Sequence, residues 1–201
     1  MSADSTPEKV PVVNLPNALT TLRLILVPVF LWLLLVDTTA ARWGATAVFC
    51  VAAYTDHLDG KIARARNLIT DFGKIVDPIA DKALTLGGFI VLCLTLTQSF
   101  AIIPWWFTAL IVIRELGITA WRAVLLRKGV VVPASKGGKL KTVLQMAFLI
   151  GLLIPWASFV SGTLLTVIMV IYWIIGAAAL AVTVWSGLDY VMAGMKAEKA
   201  S

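Results

Sequence analysis

The fold is decided by the stretch TDHLDGKIARARNLITDFGKIVDPIADKA, residues 55–83, which holds five of the chain's eleven acidic residues between long apolar runs. If residues 55–66 continue a helix, i, i+3, i+4 and i+7 spacing predicts one shared face, formed by Asp56, Asp59, Gly60 and Ala63. If residues 73–84 begin the next helix, i, i+4 and i+8 spacing predicts a second such face, formed by Gly73, Asp77 and Asp81.

The linker between these two segments, residues 67–72, is short and polar enough to turn. The two helices are therefore predicted to be antiparallel neighbours whose carboxylate faces meet. Like charges in such a small volume destabilise one another unless cations neutralise them. Because oxygen ligands suit hard divalent ions, the pattern predicts a site for two Mg²⁺ or Mn²⁺ ions with open positions for phosphate oxygens.

The composition predicts an all-α integral membrane protein. Of 201 residues, 60% are hydrophobic and only 14% are charged, which is too apolar for an ordinary soluble domain. A membrane span needs about 20 mostly apolar residues. Six apolar runs predict six transmembrane helices, and the second reaches spanning length only if it continues into the carboxylates; the runs are 18–36, 43–54, 83–98, 101–113 and onward, 142–160 and 163–185.

This pattern predicts a polar, interfacial N-terminal segment over 1–16, a six-helix transmembrane domain over 17–192 and a cytoplasmic tail over 193–201. With both termini in the cytoplasm, the outer loops would carry only Arg42. This asymmetry is the positive-inside signature. It places the net charge of +6 on one face, next to anionic lipid headgroups, and this interpretation is favoured over nucleic-acid binding. The cytoplasmic set would be Lys61, Arg64, Arg66, Lys74, Arg122, Arg127, Lys128, Lys136, Lys139, Lys141, Lys196 and Lys199.

Small residues on the two carboxylate faces indicate that something bulky approaches the backbone there. Glycine inside a helix costs about 1 kcal/mol relative to alanine, so its presence at positions 60 and 73 needs a reason. A nucleotide is a good candidate for the ligand. Arg64 would then be the natural partner for a phosphate, because its guanidinium offers a planar fork of donors.

The motif as a whole resembles the signature of the CDP-alcohol phosphotransferase family. It reads Asp, two residues, Asp-Gly, two residues, Ala-Arg, eight residues, Gly, three residues, Asp, three residues, Asp, over 56–81. The stretches NLPNALTTLRL, IRELGITAWRAVLL and KGGKLKTVLQ are similar to those of bacterial phosphatidylglycerophosphate synthases. The likeness covers about Asn14 to Gln145, whereas the last two helices match only in being hydrophobic.

The resemblance implies a fold of six transmembrane helices, usually a homodimer, in the bacterial plasma membrane with a cytoplasmic active site. The donor would be CDP-diacylglycerol, held at Asp56, Asp59, Gly60, Ala63, Arg64 and Gly73. Two divalent cations, Mg²⁺ or Mn²⁺, would lie among Asp56, Asp59, Asp77 and Asp81. By its place in the motif, Asp81 would be the general base that takes the proton of the acceptor hydroxyl.

The remaining polar residues predict an anionic acceptor. Arg114 and Glu115 interrupt the fourth span, Arg122 follows two helical turns later, and Lys139 and Lys141 open the fifth. Ionisable residues within a membrane usually carry function. Their positive charge and the resemblance favour glycerol 3-phosphate, with inositol phosphate or another alcohol as the alternative. An aspartate-rich prenyltransferase and a divalent-cation transporter stay open as other classes of protein.

Overall fold

The computed structural model describes residues 14–65, 70–95, 103–133 and 136–200. Within these ranges the chain is helical and contains no β-strand, which confirms the all-α prediction. A 3₁₀ turn at Trp156–Ser158 lies between the last two helices. The six α-helices are α1 (Leu15–Leu35), α2 (Thr39–Ala65), α3 (Asp71–Leu94), α4 (Trp105–Arg127), α5 (Lys136–Leu153) and α6 (Gly162–Ala200).

Two helix starts that border the carboxylate stretch are capped by side chains. Asn14 caps α1, because its side-chain oxygen accepts a hydrogen bond from the Asn17 N–H at 2.9 Å. Thr70 caps α3, because its hydroxyl accepts from the Gly73 N–H at 3.1 Å. Such caps satisfy backbone donors that a helix leaves free at its first turn, so these two ends lie at defined places.

The helices pack as two groups joined by an aromatic core. α1 lies against α2 and α3, whereas α6 lies against α4 and α5. Phe89 of α3 joins the groups, with its ring centroid 6.5 Å from Phe107 of α4 and 6.2 Å from Phe148 of α5. All three rings are at most 2% exposed. This core holds the carboxylate-bearing helices in a fixed position relative to α4 and α5.

Close contact between α5 and α6 depends on glycine. A Cβ at Gly151 would overlap the ring of Tyr172, and a Cβ at Gly176 would fall 2.7 Å from the ring of Phe148. Because ring atoms cannot give way by that much in a packed core, neither position admits a larger residue without moving the helices apart.

Within the described ranges, three helical segments are long and apolar enough to cross a membrane by themselves. They are Leu15–Leu35, Gly137–Ser158 and Gly162–Lys199, with mean hydropathies of 2.2, 1.6 and 2.5. Many large apolar side chains elsewhere also face outward, such as Leu94 and Trp105, which are 74% and 75% exposed. The full count of six spans and the side on which the termini lie stay predictions.

The structure corrects several details of the sequence interpretation. Arg42 is not in a loop: it lies in the first turn of α2 and is only 4% exposed. α5 ends at Leu153, because Pro155 cannot continue the helix, and not at residue 160. α6 continues as one helix through 193–200, and the cytoplasmic location of this segment stays a prediction.

Candidate functional site

Both carboxylate segments are helical, as the spacing predicts. Asp56 and Asp59 lie in the C-terminal part of α2, and Asp77 and Asp81 lie in the first three turns of α3. Asp59 is nearly buried, with a side chain that is 5% exposed. Asp56 and Asp77 are open to the outside, with side chains that are 37% and 41% exposed. The site therefore has one buried carboxylate, Asp59, and two accessible ones, Asp56 and Asp77.

Arg23 of α1 is the side chain at which these carboxylates meet. Its Nη1 lies 2.8 Å from Asp56 Oδ1 and 3.9 Å from Asp77 Oδ1, and its Nη2 donates to Asp59 Oδ2. The guanidinium is completely buried, and neither its Nε nor its Nη1 makes a hydrogen bond among the described residues, so the contact of Nη1 with Asp56 is an ion pair only. Three carboxylates from two helices are thus held by one arginine from a third, which confirms that the two faces meet.

Polar residues at the start of α1 extend the site. The Thr20 hydroxyl donates to Asp77 Oδ1 at 2.6 Å, and the Thr70 hydroxyl donates to Asn17 Oδ1 at 2.8 Å. A Cβ at Gly73 would lie 3.4 Å from both Asn17 Oδ1 and Asp77 Oδ2. The missing side chain at Gly73 therefore leaves space directly beside the Asp77 carboxylate and next to α1.

Asp81 lies where the carboxylates approach the basic residues of α5. It is partly buried and lies within electrostatic range of Asp56, Arg23 and Lys141. Lys141 is 7% exposed and donates a hydrogen bond to Glu115 Oε1 of α4. Asp81 is therefore influenced both by the carboxylate cluster and by a buried ammonium.

The aspartate side chains of the site are chemically suited to bind hard divalent cations. It offers only carboxylate oxygens, it has more negative charges than Arg23 can neutralise, and Asp56 and Asp77 are accessible. Oxygen donors of this kind are the ligands that Mg²⁺ and Mn²⁺ prefer. Within the described ranges, however, no three His, Cys, Asp or Glu side chains are arranged to hold an ion together. The oxygens are arranged around the guanidinium instead.

Arg114, one of the basic residues predicted to bind the acceptor phosphate, makes its hydrogen bonds to other residues of the protein. Its Nε donates to the Thr183 carbonyl at 3.1 Å, its Nη2 to Ser186 Oγ at 2.9 Å and its Nη1 to Glu115 Oε1 at 3.1 Å. Gly187 of α6 makes this possible, because a Cβ there would lie 3.2 Å from the Arg114 side chain. The structure therefore places Arg114 as a bridge between α4 and α6.

Arg122 and Lys139 are more accessible. Both are exposed, and Arg122 donates from Nε to the Tyr190 hydroxyl at 3.1 Å while its guanidinium carbon lies 5.3 Å from the Tyr190 ring centroid. Arg122 and Tyr190 also line a cavity of about 230 Å³ at the end of α4. Arg114 and Arg122 thus contact the same helix, α6, although different residues of it.

The other residues of the predicted donor site are described only in part. Gly60 lies on α2 directly after Asp59 and is partly exposed. Ala63 and Arg64 also belong to α2, but their side chains lie outside the part of the chain that the structure describes. Their roles stay predictions.

Arg23 is the main residue that sequence reasoning missed, together with Asn17, Thr20 and Thr70. A signal exists for Arg23, which stands in the apolar run TTLRLILVPVF, since an ionisable residue in an apolar span is a candidate for function. Asn17 and Thr70 carry no such signal, because each is at a helix start where a capping role is expected. Thr20 carries none either, because a threonine hydroxyl inside a helix commonly bonds to the carbonyl four residues earlier, as it does here with Pro16.

The family profile described as CDP-alcohol phosphatidyltransferase matches residues 13–185. The chain belongs to the CDP-alcohol phosphatidyltransferase family. Membership confirms the resemblance seen in the signature and identifies the chain as an enzyme of the CDP-alcohol phosphotransferase type. Together with the apolar helices, it also makes the chain a membrane protein.

Several members of the CDP-alcohol phosphatidyltransferase family are similar over most of the chain. A probable phosphatidylglycerophosphate synthase of Mycobacterium tuberculosis is 44% identical over 189 residues, covering 92% of this chain and 83% of the relative. A CDP-diacylglycerol–glycerol-3-phosphate 3-phosphatidyltransferase of Bacillus subtilis is 35% identical over 153 residues, covering 70% and 77%. The enzyme of the same name from Shigella flexneri is 35% identical over 189 residues, covering 90% and 94%.

Proposed function

We propose that the chain transfers the phosphatidyl group of CDP-diacylglycerol to glycerol 3-phosphate, which yields phosphatidylglycerophosphate and CMP. The names of its similar relatives support this substrate pair. The single observation that carries the proposal is the meeting of Asp56, Asp59 and Asp77, from α2 and α3, around Arg23. A donor diphosphate would bind at this cluster, and Asp81 follows Asp77 one turn later on α3.

In this proposal Asp56, Asp59, Asp77 and Asp81 hold two divalent cations, Mg²⁺ or Mn²⁺. Family membership supports the use of divalent metals in general. When bound, such ions neutralise charge on the diphosphate and help the leaving phosphate to depart. Gly60, Ala63 and Gly73 leave room for the cytidine nucleotide, and Arg64 binds a donor phosphate through its fork of donors.

Asp81 takes the proton of the acceptor hydroxyl while the hydroxyl oxygen forms a bond to the lipid-side phosphorus. The bond between that phosphorus and the bridging oxygen of the diphosphate breaks, and CMP leaves with the electron pair. A carboxylate can serve as the base because binding both substrates in one site aligns the hydroxyl for attack. In this proposal Lys141, which is within electrostatic range of Asp81, would bind the phosphate of the acceptor.

The acceptor phosphate is bound in this proposal by Arg122, Lys139 and Lys141, with Arg114 as a further cation of the same surface. The contacts of Arg114 to Glu115, Thr183 and Ser186 support a role in placing the others. Inositol phosphate carries the same charge and stays the alternative acceptor. The enzyme would act as a homodimer at the cytoplasmic face of the bacterial plasma membrane, with the active site at the headgroup level.

The test is a reaction of the purified chain with CDP-diacylglycerol and Mg²⁺ or Mn²⁺, in which CMP and the lipid product are measured. The acceptor panel contains glycerol 3-phosphate, inositol phosphate, glycerol and serine. Of the four acceptors, we expect only glycerol 3-phosphate to cause CMP release, and we expect the Asp81→Asn variant to lose that release. Asp37→Asn, an exposed aspartate between α1 and α2, is the matched control that keeps activity.

Other outcomes would redirect the assignment. Release of CMP with inositol phosphate and not with glycerol 3-phosphate would establish the alternative acceptor. Failure to release CMP with any acceptor, together with movement of Mn²⁺ into sealed vesicles that contain the protein, would instead establish the cation transporter.

A further inference from the structure

Arg23 binds the same carboxylate oxygens that the proposed function assigns to divalent cations. Its two terminal nitrogens reach Asp56 and Asp59 in ion pairs, and Nη1 also lies 3.9 Å from Asp77 Oδ1. The side chain is 0% exposed. Arg23 comes from α1, outside the 55–83 stretch, so nothing in the signature motif assigns it a role.

The guanidinium and a divalent cation cannot share these oxygens at full strength. Charge-assisted hydrogen bonds to a carboxylate use the lone pairs that a metal ion would need. Two positive groups a few ångströms apart in a buried site also repel each other strongly. The described carboxylates are accordingly arranged around Arg23 and not as a three-ligand group.

We propose that Arg23 is a resident counter-cation, which holds the carboxylates together and competes with divalent cations for their oxygens. Arg23 must release at least part of its contacts with Asp56 and Asp59 before those oxygens can bind a metal ion. It is a positioning residue that sets the metal concentration at which the enzyme becomes loaded. The inference rests on the metal assignment of the proposed function.

If Arg23 competes with metal ions, its removal should lower the stability of the metal-free protein and raise the affinity for a divalent cation. Removal of Arg23 leaves the carboxylates of the metal-free protein without their counter-charge, so that form loses stability. The same removal frees the oxygens, so a divalent cation binds more tightly. Because ligand affinity and stability are linked through one thermodynamic cycle, the free energy lost by the metal-free protein should reappear as gained binding free energy. A merely structural arginine would destabilise both forms equally and leave metal affinity unchanged.

The experiment uses the full chain in detergent micelles. Mn²⁺ affinity is measured by electron paramagnetic resonance of the free ion, and thermal unfolding is followed in EDTA and in saturating Mn²⁺. Arg23→Gln should bind Mn²⁺ at least about tenfold more tightly than wild type, equivalent to about 1.4 kcal/mol. It should unfold at a lower temperature than wild type in EDTA, and the difference should narrow in Mn²⁺.

Two further variants separate competition from general effects. Arg23→Lys keeps the charge but not the bidentate fork, so its gain in Mn²⁺ affinity should be smaller, about threefold. Arg42→Gln removes another buried arginine, 4% exposed and 14 residues before Asp56 on α2, hence about 21 Å away along the helix. This control should lose the same stability in EDTA and in Mn²⁺ and keep wild-type affinity.

Unchanged or weaker Mn²⁺ affinity in the Arg23 variants would overturn the inference. If Arg23→Gln does not fold, Arg23→Lys alone decides, since it too must bind Mn²⁺ more tightly than wild type. Absence of Mn²⁺ binding to the wild-type chain would contradict the metal assignment itself and the competition with it. That result is distinguishable from failure of the inference alone, in which wild type binds Mn²⁺ and the variants show no gain.

Discussion

Lys141 at the start of α5 donates a hydrogen bond to Glu115 of α4, and their side chains are only 9% and 13% exposed. The pair joins two helices through residues that are 26 positions apart in sequence. Glu115 also accepts from Arg114, so one carboxylate neutralises two cations of the proposed acceptor surface. The positions of these cations depend on a residue that would not itself touch the acceptor.

Replacement of Glu115 by Gln should therefore destabilise the protein. Loss of one partner of a buried ion pair costs about 3 kcal/mol, because Lys141 and Arg114 would be left without their counter-charge. The matched control is Glu198→Gln, which breaks the exposed pair with Lys128, whose side chain is 52% exposed, and should cost less than about 1 kcal/mol. Thermal unfolding in detergent compares the two. Equal losses would mean that the Glu115 pair is no more important than a surface pair.

Substitution of either Asp59 or Asp77 should abolish activity, but the two substitutions should differ in how much they destabilise the fold. Asp77→Asn and Asp59→Asn should both lose CMP release, because each removes a proposed metal ligand. Asp77 is 41% exposed, so its substitution should cost less than about 1 kcal/mol of stability. Asp59 is 5% exposed and paired with Arg23, so its substitution should cost about 3 kcal/mol in EDTA. Near-normal turnover of either variant at ordinary metal concentration would contradict the shared site.

Space beside Asp77 should be required for the nucleotide. Gly73→Val would place a branched side chain within contact of Asn17 and Asp77, so we expect CDP binding to fall while the fold is kept. Calorimetric titration with CDP and Mg²⁺ measures this. Gly117→Ala is the control, since nothing lies within 4 Å of its added Cβ, and it should leave CDP binding unchanged. Wild-type affinity of the Gly73→Val variant would show that this glycine serves helix packing only.

Arg122 should act on the acceptor and not on the donor. Its loss in Arg122→Ala removes a charge-assisted contact typically worth about 1.5–3 kcal/mol, so the KM for glycerol 3-phosphate should rise at least about tenfold while the KM for CDP-diacylglycerol stays unchanged. Arg122→Lys should restore activity only in part, because an ammonium lacks the fork of donors. Arg127→Ala, an exposed neighbour on the same helix, should leave both constants at their wild-type values. A raised donor KM in Arg122→Ala would reassign that arginine to the CDP-lipid.

The six-span topology predicts which loops face the outside of the cell. In a background with Ala at positions 50 and 93, a cysteine placed at exposed Ala40 should react with an impermeant maleimide added to intact cells. A cysteine at exposed Gly129, between α4 and α5, should react only after the cells are opened. Labelling of position 129 from outside would overturn the topology and the cytoplasmic location of the site.

Helical periodicity was sufficient to predict both carboxylate faces, because α-helical geometry alone places positions 56 and 59 together and positions 77 and 81 together. The meeting of the faces followed from a short linker. The ion pairs of Arg23 could not be derived in this way, since they join residues up to 54 positions apart and depend on how α1 packs against α2 and α3. The same limit applies to Thr20, whose contact with Asp77 spans 57 positions.

Boundaries of the later helices were harder to predict because hydrophobicity continues past the residues that end them. α5 stops before Pro155, although apolar sequence runs on to Val160. The role of Arg114 was also beyond sequence reasoning. Its helix face could be computed, but its contacts to Thr183 and Ser186 depend on the small residue at position 187 of another helix.

The division of the helices into two groups separates the two proposed substrates. The carboxylates and Arg23 belong to α1–α3, whereas the basic residues and their partners belong to α4–α6. Contacts at Gly151 and Gly176 hold α5 close to α6, so the proposed acceptor side is one tightly packed group of helices. The joint between the two groups contains Phe89, packed on Phe107 and Phe148. If the proposed function holds, the alignment of base and hydroxyl depends on these three rings, and a change of ring size should alter turnover while the affinity for each substrate is kept.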